Sequence, residues 1–142
     1  MLYLAQKLLQ ENEHKELRKN LLISSEWKEG IHTTAGDAKQ IKKNLQLNSG
    51  DAFINASEKI KAAIQNNKKI DNFAFPLEIF NILFSRTGVG MFYGPHVDTP
   101  CVEGKRRDLS FTIFLNDKND YKGGELILYI PPEKRTIKLD AG

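Results

Sequence analysis

Apolar positions in the first half of the chain recur at helical spacing. Leu4, Leu8, Leu17 and Leu21 fall near one face of a first helix, and Phe53, Ala56, Ile60, Ala63 and Ile64 mark a second. This is the recurrence of an amphipathic helix with one buried stripe. Between them, Trp27–Leu47 is rich in Gly, Thr, Lys and Asn and reads as an irregular stretch with room for strands. Asn66-Asn67 followed by Lys68-Lys69 predicts that the second helix ends in a surface turn. Past Asp71 the pattern changes. Phe75–Phe84 is apolar almost throughout, as expected of a strand covered on both faces. In Leu109–Leu115, Leu109, Phe111, Ile113 and Leu115 share one face, with Ser110 and Thr112 opposite. Leu126–Ile130 and Thr136–Leu139 predict two further strands, separated by Pro131-Pro132. Helices followed by strands point to an α+β domain with a β-sandwich or barrel core. Residues 1–70 would form a helical support region and 71–142 the β-core of the same structural unit.

Composition narrows the class. A chain of 142 residues, 40% hydrophobic, suits one domain; a complete domain of that size buries about two-thirds of its unfolded surface. Twenty-one basic against 18 acidic residues give a net charge of +3. That balance argues for neither nucleic acid nor an acidic partner. Lys39, Lys42, Lys43, Lys59, Lys61, Lys68 and Lys69 are dispersed and read as solvated faces rather than a nucleic-acid footprint. The single cysteine, Cys101, excludes an intrachain disulfide and fits a reducing compartment, with burial as a small hydrophobe its expected fate. No run of about 18 apolar residues and no secretory signal is present. The expectation is a soluble cytoplasmic protein without a membrane partner.

The chemistry concentrates in His96-Val97-Asp98, which follows the glycine-studded run Gly88–Pro95. Residues two apart on a strand point the same way, so an imidazole nitrogen and a carboxylate oxygen can meet at one ion. Nitrogen-plus-carboxylate donors suit Fe(II), Mn(II) or Zn(II), and the pair supplies two of three ligands of a 2-His-1-carboxylate site. The alternative local role is a turn, with His96 capping it and Asp98 leading into Thr99-Pro100. No histidine lies downstream of His96, and His14 and His32 lie far upstream. Asn116–Asp120 lacks the glycine and distal glutamate of a calcium loop and reads as a solvated connection. Gly123-Gly124 suits a tight turn or a close strand approach.

Motifs in collinear order carry a family resemblance. Trp27-Lys28-Glu29-Gly30, Thr33-Thr34 and Lys42-Lys43-Asn44-Leu45-Gln46-Leu47 resemble the N-terminal signature of the PKHD-type hydroxylases. Phe84-Ser85-Arg86, Gly90, Tyr93-Gly94 and His96-Val97-Asp98 resemble their iron strand. Arg107-Asp108-Leu109-Ser110, Phe114–Asp117, Asp120–Leu126 and Lys138–Gly142 resemble the blocks that follow. These hydroxylases belong to the Fe(II)- and 2-oxoglutarate-dependent dioxygenases with a prolyl-4-hydroxylase-like core.

The resemblance implies N-terminal helices followed by a double-stranded β-helix (jelly-roll) core lacking its last strands. It implies Fe(II) as metal and 2-oxoglutarate as co-substrate, carrying iron ligation to His96 and Asp98; Arg86 and Tyr93 would line the co-substrate pocket, with a core-packing or salt-bridge role the equal alternative for each. Thr87 stands where the family commonly has a tyrosine. The family's distal histidine and 2-oxoglutarate arginine lie past the segment matched by Lys138–Gly142, so neither role transfers to a residue here. Arg106 and Arg107 are expected in pairings with Asp108 or Asp98. The implied reaction converts 2-oxoglutarate and O2 to succinate and CO2 while hydroxylating a C–H bond of a small-molecule or protein substrate that the sequence does not name. An incomplete chain is the expected reason for the absent ligands, and an open sheet edge would give a homo-oligomer a route to assemble. Two alternatives stand beside this reading: a catalytically inactive binding module, and a nucleic-acid demethylase on the same core.

Overall fold

The computed structural model describes residues 3–33 and 41–142. Thr34 of the Thr33-Thr34 block, Lys39 and the middle of Trp27–Leu47 lie outside the described residues. Elements run α1 (Glu11–Leu22), β1 (Lys28–Glu29), a 3-10 turn at Gly30–Thr33, β2 (Lys42–Lys43), β3 (Leu45–Leu47), α2 (Asp51–Gln65) and α3 (Lys68–Ala74). Six short strands follow: β4 (Phe84–Arg86), β5 (Phe92–Tyr93), β6 (Cys101–Val102), β7 (Lys105–Arg106), β8 (Leu126–Ile130) and β9 (Glu133–Ile137). The architecture is mixed helix and antiparallel sheet.

Helix α1 starts later than the apolar spacing suggests. The Glu13 carboxylate accepts from the Gln10 backbone N–H at 2.7 Å, and Glu11 and Glu13 place negative charge at the positive end of the helix dipole. Leu4 and Leu8 therefore precede the helix. Leu8 and Leu9 instead donate backbone hydrogen bonds to the Gly142 carbonyl, and the Gly142 N–H donates to Phe114 O at 2.9 Å. Gly142 has φ +88°, and a Cβ there would stand 2.6 Å from Leu9 O, so only glycine fits this close approach.

Helix α2 buries Ala56, Ser57, Ile60 and Ile64 against the α1 face formed by His14, Leu17 and Leu21. Asn66 closes α2 by donating to Ala62 O. The expected turn is there, but it starts another helix: Asn67 Oδ1 accepts from the N–H groups of Lys69 and Ile70, an N-cap for α3. The core joins Leu9, Leu17, Leu21, Leu47, Ala56, Ile60 and Ile64 to Ile82 and Phe84, with Trp27, Ile113 and Leu115 packed at its margin. Phe53 meets Phe84 edge-to-face at 6.0 Å. Buried apolar surface thus spans both halves of the sequence.

Antiparallel pairing orders three strands as β1-β3-β4, with Leu47 opposite Phe84 and Gln46 opposite Ser85. β2 pairs separately with β5, setting Lys42 opposite Tyr93. β6–β7 and β8–β9 are hairpins. Leu126–Ile130 is the strand expected, whereas its partner begins at Glu133 because the hairpin closes at once around Pro131-Pro132.

Two strand expectations are corrected. Phe75–Phe84 is not a strand covered on both faces: Phe75 is 81% exposed, Leu77 is fully exposed, and only Phe84–Arg86 enters a sheet. Pro76 removes a ladder donor, and Phe75 and Asn81 hold positive φ, so an extended run cannot form. Leu109–Leu115 alternates in sequence, but among the described residues it enters no strand pairing. Ile113 and Leu115 pack on the core while Leu109 and Phe111 are exposed. Cys101 is exposed rather than buried. Gly123 and Gly124 have φ of +73° and +69°, the tight-turn role expected of them. Among the described residues, no helix is long and apolar enough to cross a membrane.

Candidate metal centre

β5 ends at Tyr93, so His96 and Asp98 do not sit on a strand. The argument that a strand points both side chains one way is therefore corrected; the local contacts do it. Gly94 N–H donates to Ile41 O at 2.7 Å, fixing the turn after β5, and a Cβ on Gly94 would stand 3.0 Å from that of Ile41. The Gly94 carbonyl lies 2.9 Å from His96 Nδ1. A carbonyl can only accept, so Nδ1 carries the proton and donates. In the neutral ring this leaves a bare lone pair on Nε2. The imidazole stacks on the Tyr93 ring, centroids 3.9 Å apart and planes 14° from parallel.

Nε2 then faces Asp98 Oδ1 at 3.4 Å. Two acceptors pointing at each other repel unless a proton or a cation stands between them. Two donors each about 2.1 Å from one ion and at right angles stand about 3 Å apart, so the spacing fits adjacent ligands of one metal. The other oxygen, Asp98 Oδ2, accepts from Ser110 Oγ at 2.6 Å. Arg107 approaches Oδ1 at 3.9 Å, and Arg106 pairs with Asp108 at 2.6 Å. These are the structural pairings expected of the two arginines. Among the described residues, no group of three His, Cys, Asp or Glu gathers to hold an ion. His14 is buried in α1, and His32 is exposed in the 3-10 turn.

Tyr93 thus joins His96 and Asp98. Arg86 does not: it is exposed at the end of β4, and no hydrogen bond, ion pair or ring contact links it to the other three.

Next to Tyr93 lies a buried polar row that includes Lys42, a residue expected on a solvated face. Lys42, Asn44 and Gln46 are all buried at alternate positions, while Leu47 on the neighbouring face is fully buried. Lys42 Nζ sits 4.8 Å from the Tyr93 ring centroid and donates to Gln46 Oε1 at 3.2 Å. Gln46 donates in turn to Ser85 Oγ at 3.2 Å. Burial lowers the Lys42 pKa from the ordinary lysine value. The sequence Lys42-Lys43-Asn44-Leu45-Gln46-Leu47 gives no sign of this, since alternation of polar with apolar residues would place the polar face in solvent.

The family model for the 2OG-Fe(II) oxygenase superfamily matches residues 82–141, the part of the chain that holds His96, Asp98 and Ser110. A PKHD-type hydroxylase of Prochlorococcus marinus strain MIT 9515 is 40% identical over 144 residues, covering 100% of this chain and 65% of the relative. The chain is thus similar to the 2OG-Fe(II) oxygenase superfamily over residues 82–141 and to the PKHD-type hydroxylases over its whole length. The PKHD-type hydroxylase of P. marinus strain MIT 9215 is likewise 40% identical, over 147 residues with the same coverage. A PKHD-type hydroxylase of Picosynechococcus sp. strain PCC 7002 is 38% identical over 122 residues, covering 85% of this chain and 56% of the relative. The chain spans 65% of the length of the Prochlorococcus relatives named here. The resemblance read from the motifs is therefore a true relationship.

Proposed function

We propose that this protein is an Fe(II)- and 2-oxoglutarate-dependent hydroxylase in which His96 and Asp98 hold the iron. The observation that carries the reading is the convergence of His96 Nε2 and Asp98 Oδ1 at 3.4 Å, with Nδ1 already committed to Gly94 O. A bare imidazole nitrogen and a carboxylate oxygen are the donor types a non-haem Fe(II) site takes. The antiparallel strands of the second half are consistent with the double-stranded β-helix of the family, which would place this pair at the open mouth of the core.

Fe(II), 2-oxoglutarate and O2 would supply the oxidation, one oxygen atom of O2 going to succinate as CO2 leaves and the other to the hydroxylated C–H bond of the substrate. The chain supplies placement. The Gly94 carbonyl fixes the imidazole tautomer, the Tyr93 ring holds its plane, and Ser110 steers the carboxylate. Such outer contacts tune the ligands of a metal site as much as the ligands themselves do. The role of Arg86 toward a carboxylate of the co-substrate rests on the family resemblance alone, its planar fork being suited to a carboxylate. Tyr93 contributes a ring face rather than a strand-end hydroxyl alone.

The test is Fe(II)-dependent formation of succinate from 2-oxoglutarate, paired with Fe(II) titration under anaerobic conditions. The expected result is turnover in the native protein, with iron binding lost in His96→Ala and Asp98→Ala. Unchanged Fe(II) affinity in both variants would overturn the assignment.

A further inference from the structure

Asp98 uses its two oxygens differently. Oδ1 faces His96 Nε2, whereas Oδ2 accepts the Ser110 hydroxyl at 2.6 Å, within the short range of a hydrogen bond to an ionised acceptor. A carboxylate free to rotate can offer a metal either oxygen, or both at once. A donor fixed on Oδ2 removes that freedom and presents Oδ1 alone. Resting on the iron-site reading above, we propose that Ser110 is the positioning residue that selects Asp98 Oδ1 as the single metal-facing oxygen.

The placement of Ser110 suits this role. Asp98 belongs to an irregular loop with no strand ladder to hold it. Ser110 lies 12 residues further on, in a segment whose Ile113 and Leu115 pack against the hydrophobic core. The hydrogen bond therefore ties the ligand loop to a part of the chain that the core anchors. Ser110 also falls on the polar side of the Leu109–Leu115 alternation, opposite Leu109 and Phe111. Its side chain is exposed, so removing the hydroxyl leaves no cavity and no buried unpaired group. The cost to folding should stay within the small range of surface substitutions, which separates an effect on the metal from one on the fold.

The experiment is titration of the full chain with Co(II) under anaerobic conditions, read both as affinity and as the visible d–d spectrum. Ser110→Ala, Ser110→Thr and His96→Ala are compared. Loss of an outer-shell partner of a ligand typically weakens metal binding about 10- to 100-fold, the effect expected of Ser110→Ala. Its Co(II) spectrum should also change as the freed carboxylate alters its denticity. Ser110→Thr, which keeps the hydroxyl, should restore both. Native affinity and spectrum in Ser110→Ala, with binding lost in His96→Ala, would overturn this proposal and leave the iron site standing. Native binding in His96→Ala would overturn the site itself. Ser110→Thr as weak as Ser110→Ala would show that the hydroxyl is not the cause, and a large fall in metal-free melting temperature for Ser110→Ala would assign it a structural role; either result overturns the proposal.

Discussion

Tyr93 separates two ways in which an aromatic residue can serve this site. Its ring stacks on the His96 imidazole at 3.9 Å, and the Lys42 ammonium lies 4.8 Å from its centroid. A stacked aromatic pair is worth about 0.5–1.5 kcal/mol beyond its buried area. The stack acts by holding the imidazole plane. A variant without the ring must reorder His96 when metal binds, and the cost is at most the stacking energy. At 1.4 kcal/mol per tenfold change, Tyr93→Ala should weaken Co(II) binding by about 2- to 12-fold. Tyr93→Phe keeps the ring and should bind Co(II) as the native chain does. If the hydroxyl instead contacts 2-oxoglutarate, Tyr93→Phe raises the 2-oxoglutarate KM while leaving metal affinity unchanged. Calorimetric titration with Co(II), followed by the 2-oxoglutarate concentration dependence of succinate release, resolves both. Equal loss of metal affinity in Tyr93→Phe and Tyr93→Ala would refute the stacking argument, because it would place the effect in the hydroxyl.

Two further predictions concern the frame behind the site. Leu47 is fully buried on the middle strand of β1-β3-β4, opposite Phe84, so Leu47→Ala should cost about 3–5 kcal/mol. It would appear in urea as a lower midpoint at nearly unchanged slope. Lys42 has a pKa lowered by burial relative to the unfolded chain, so its charged form disfavours folding at neutral pH. That penalty is present below the lowered pKa and fades as pH rises through it towards the ordinary value of 10.5. Stability of Lys42→Met relative to the native chain should therefore be greatest near pH 7 and decline by pH 10; a difference that does not change with pH would contradict burial of the ammonium.

Helices α1 and α2 were legible because each needs only one local period, whereas the short α3 was read as a turn. α2 follows its apolar stripe closely, whereas the start of α1 was misplaced because Leu4 and Leu8 share the apolar spacing without sharing the helix. The Gln10–Glu13 cap and the contact of Leu8 and Leu9 with Gly142 decide that boundary, and the second of these is a long-range contact. Strands fared worse for a related reason. An apolar run becomes a strand only if a neighbour completes its hydrogen bonds. Phe75–Phe84 lacks that neighbour over most of its length, and Pro76 and the positive φ at Asn81 block one from forming. Lys42, read as one of several dispersed surface lysines, is buried because β2 pairs with β5 and sets it against Tyr93. Composition alone does not report such a pairing across some fifty residues of chain.

The site shows the same division between chemistry and geometry. The motif singled out His96 and Asp98 as candidate ligands, but a strand does not bring them together, because the loop after Tyr93 is irregular. What converges the two donors is a set of contacts from outside the motif. The Gly94 carbonyl sets the tautomer, the Tyr93 ring sets the imidazole plane, and Ser110 sets the carboxylate. The Gly94 turn is itself pinned by Ile41, and Tyr93 is paired with Lys42, so the β2–β5 contact positions two of these three groups. A loop carrying metal ligands needs this kind of support, because without a ladder its own backbone fixes neither side chain. The short β2–β5 pair is therefore the structural feature on which the placement of His96 chiefly depends, although neither strand contains His96 or Asp98.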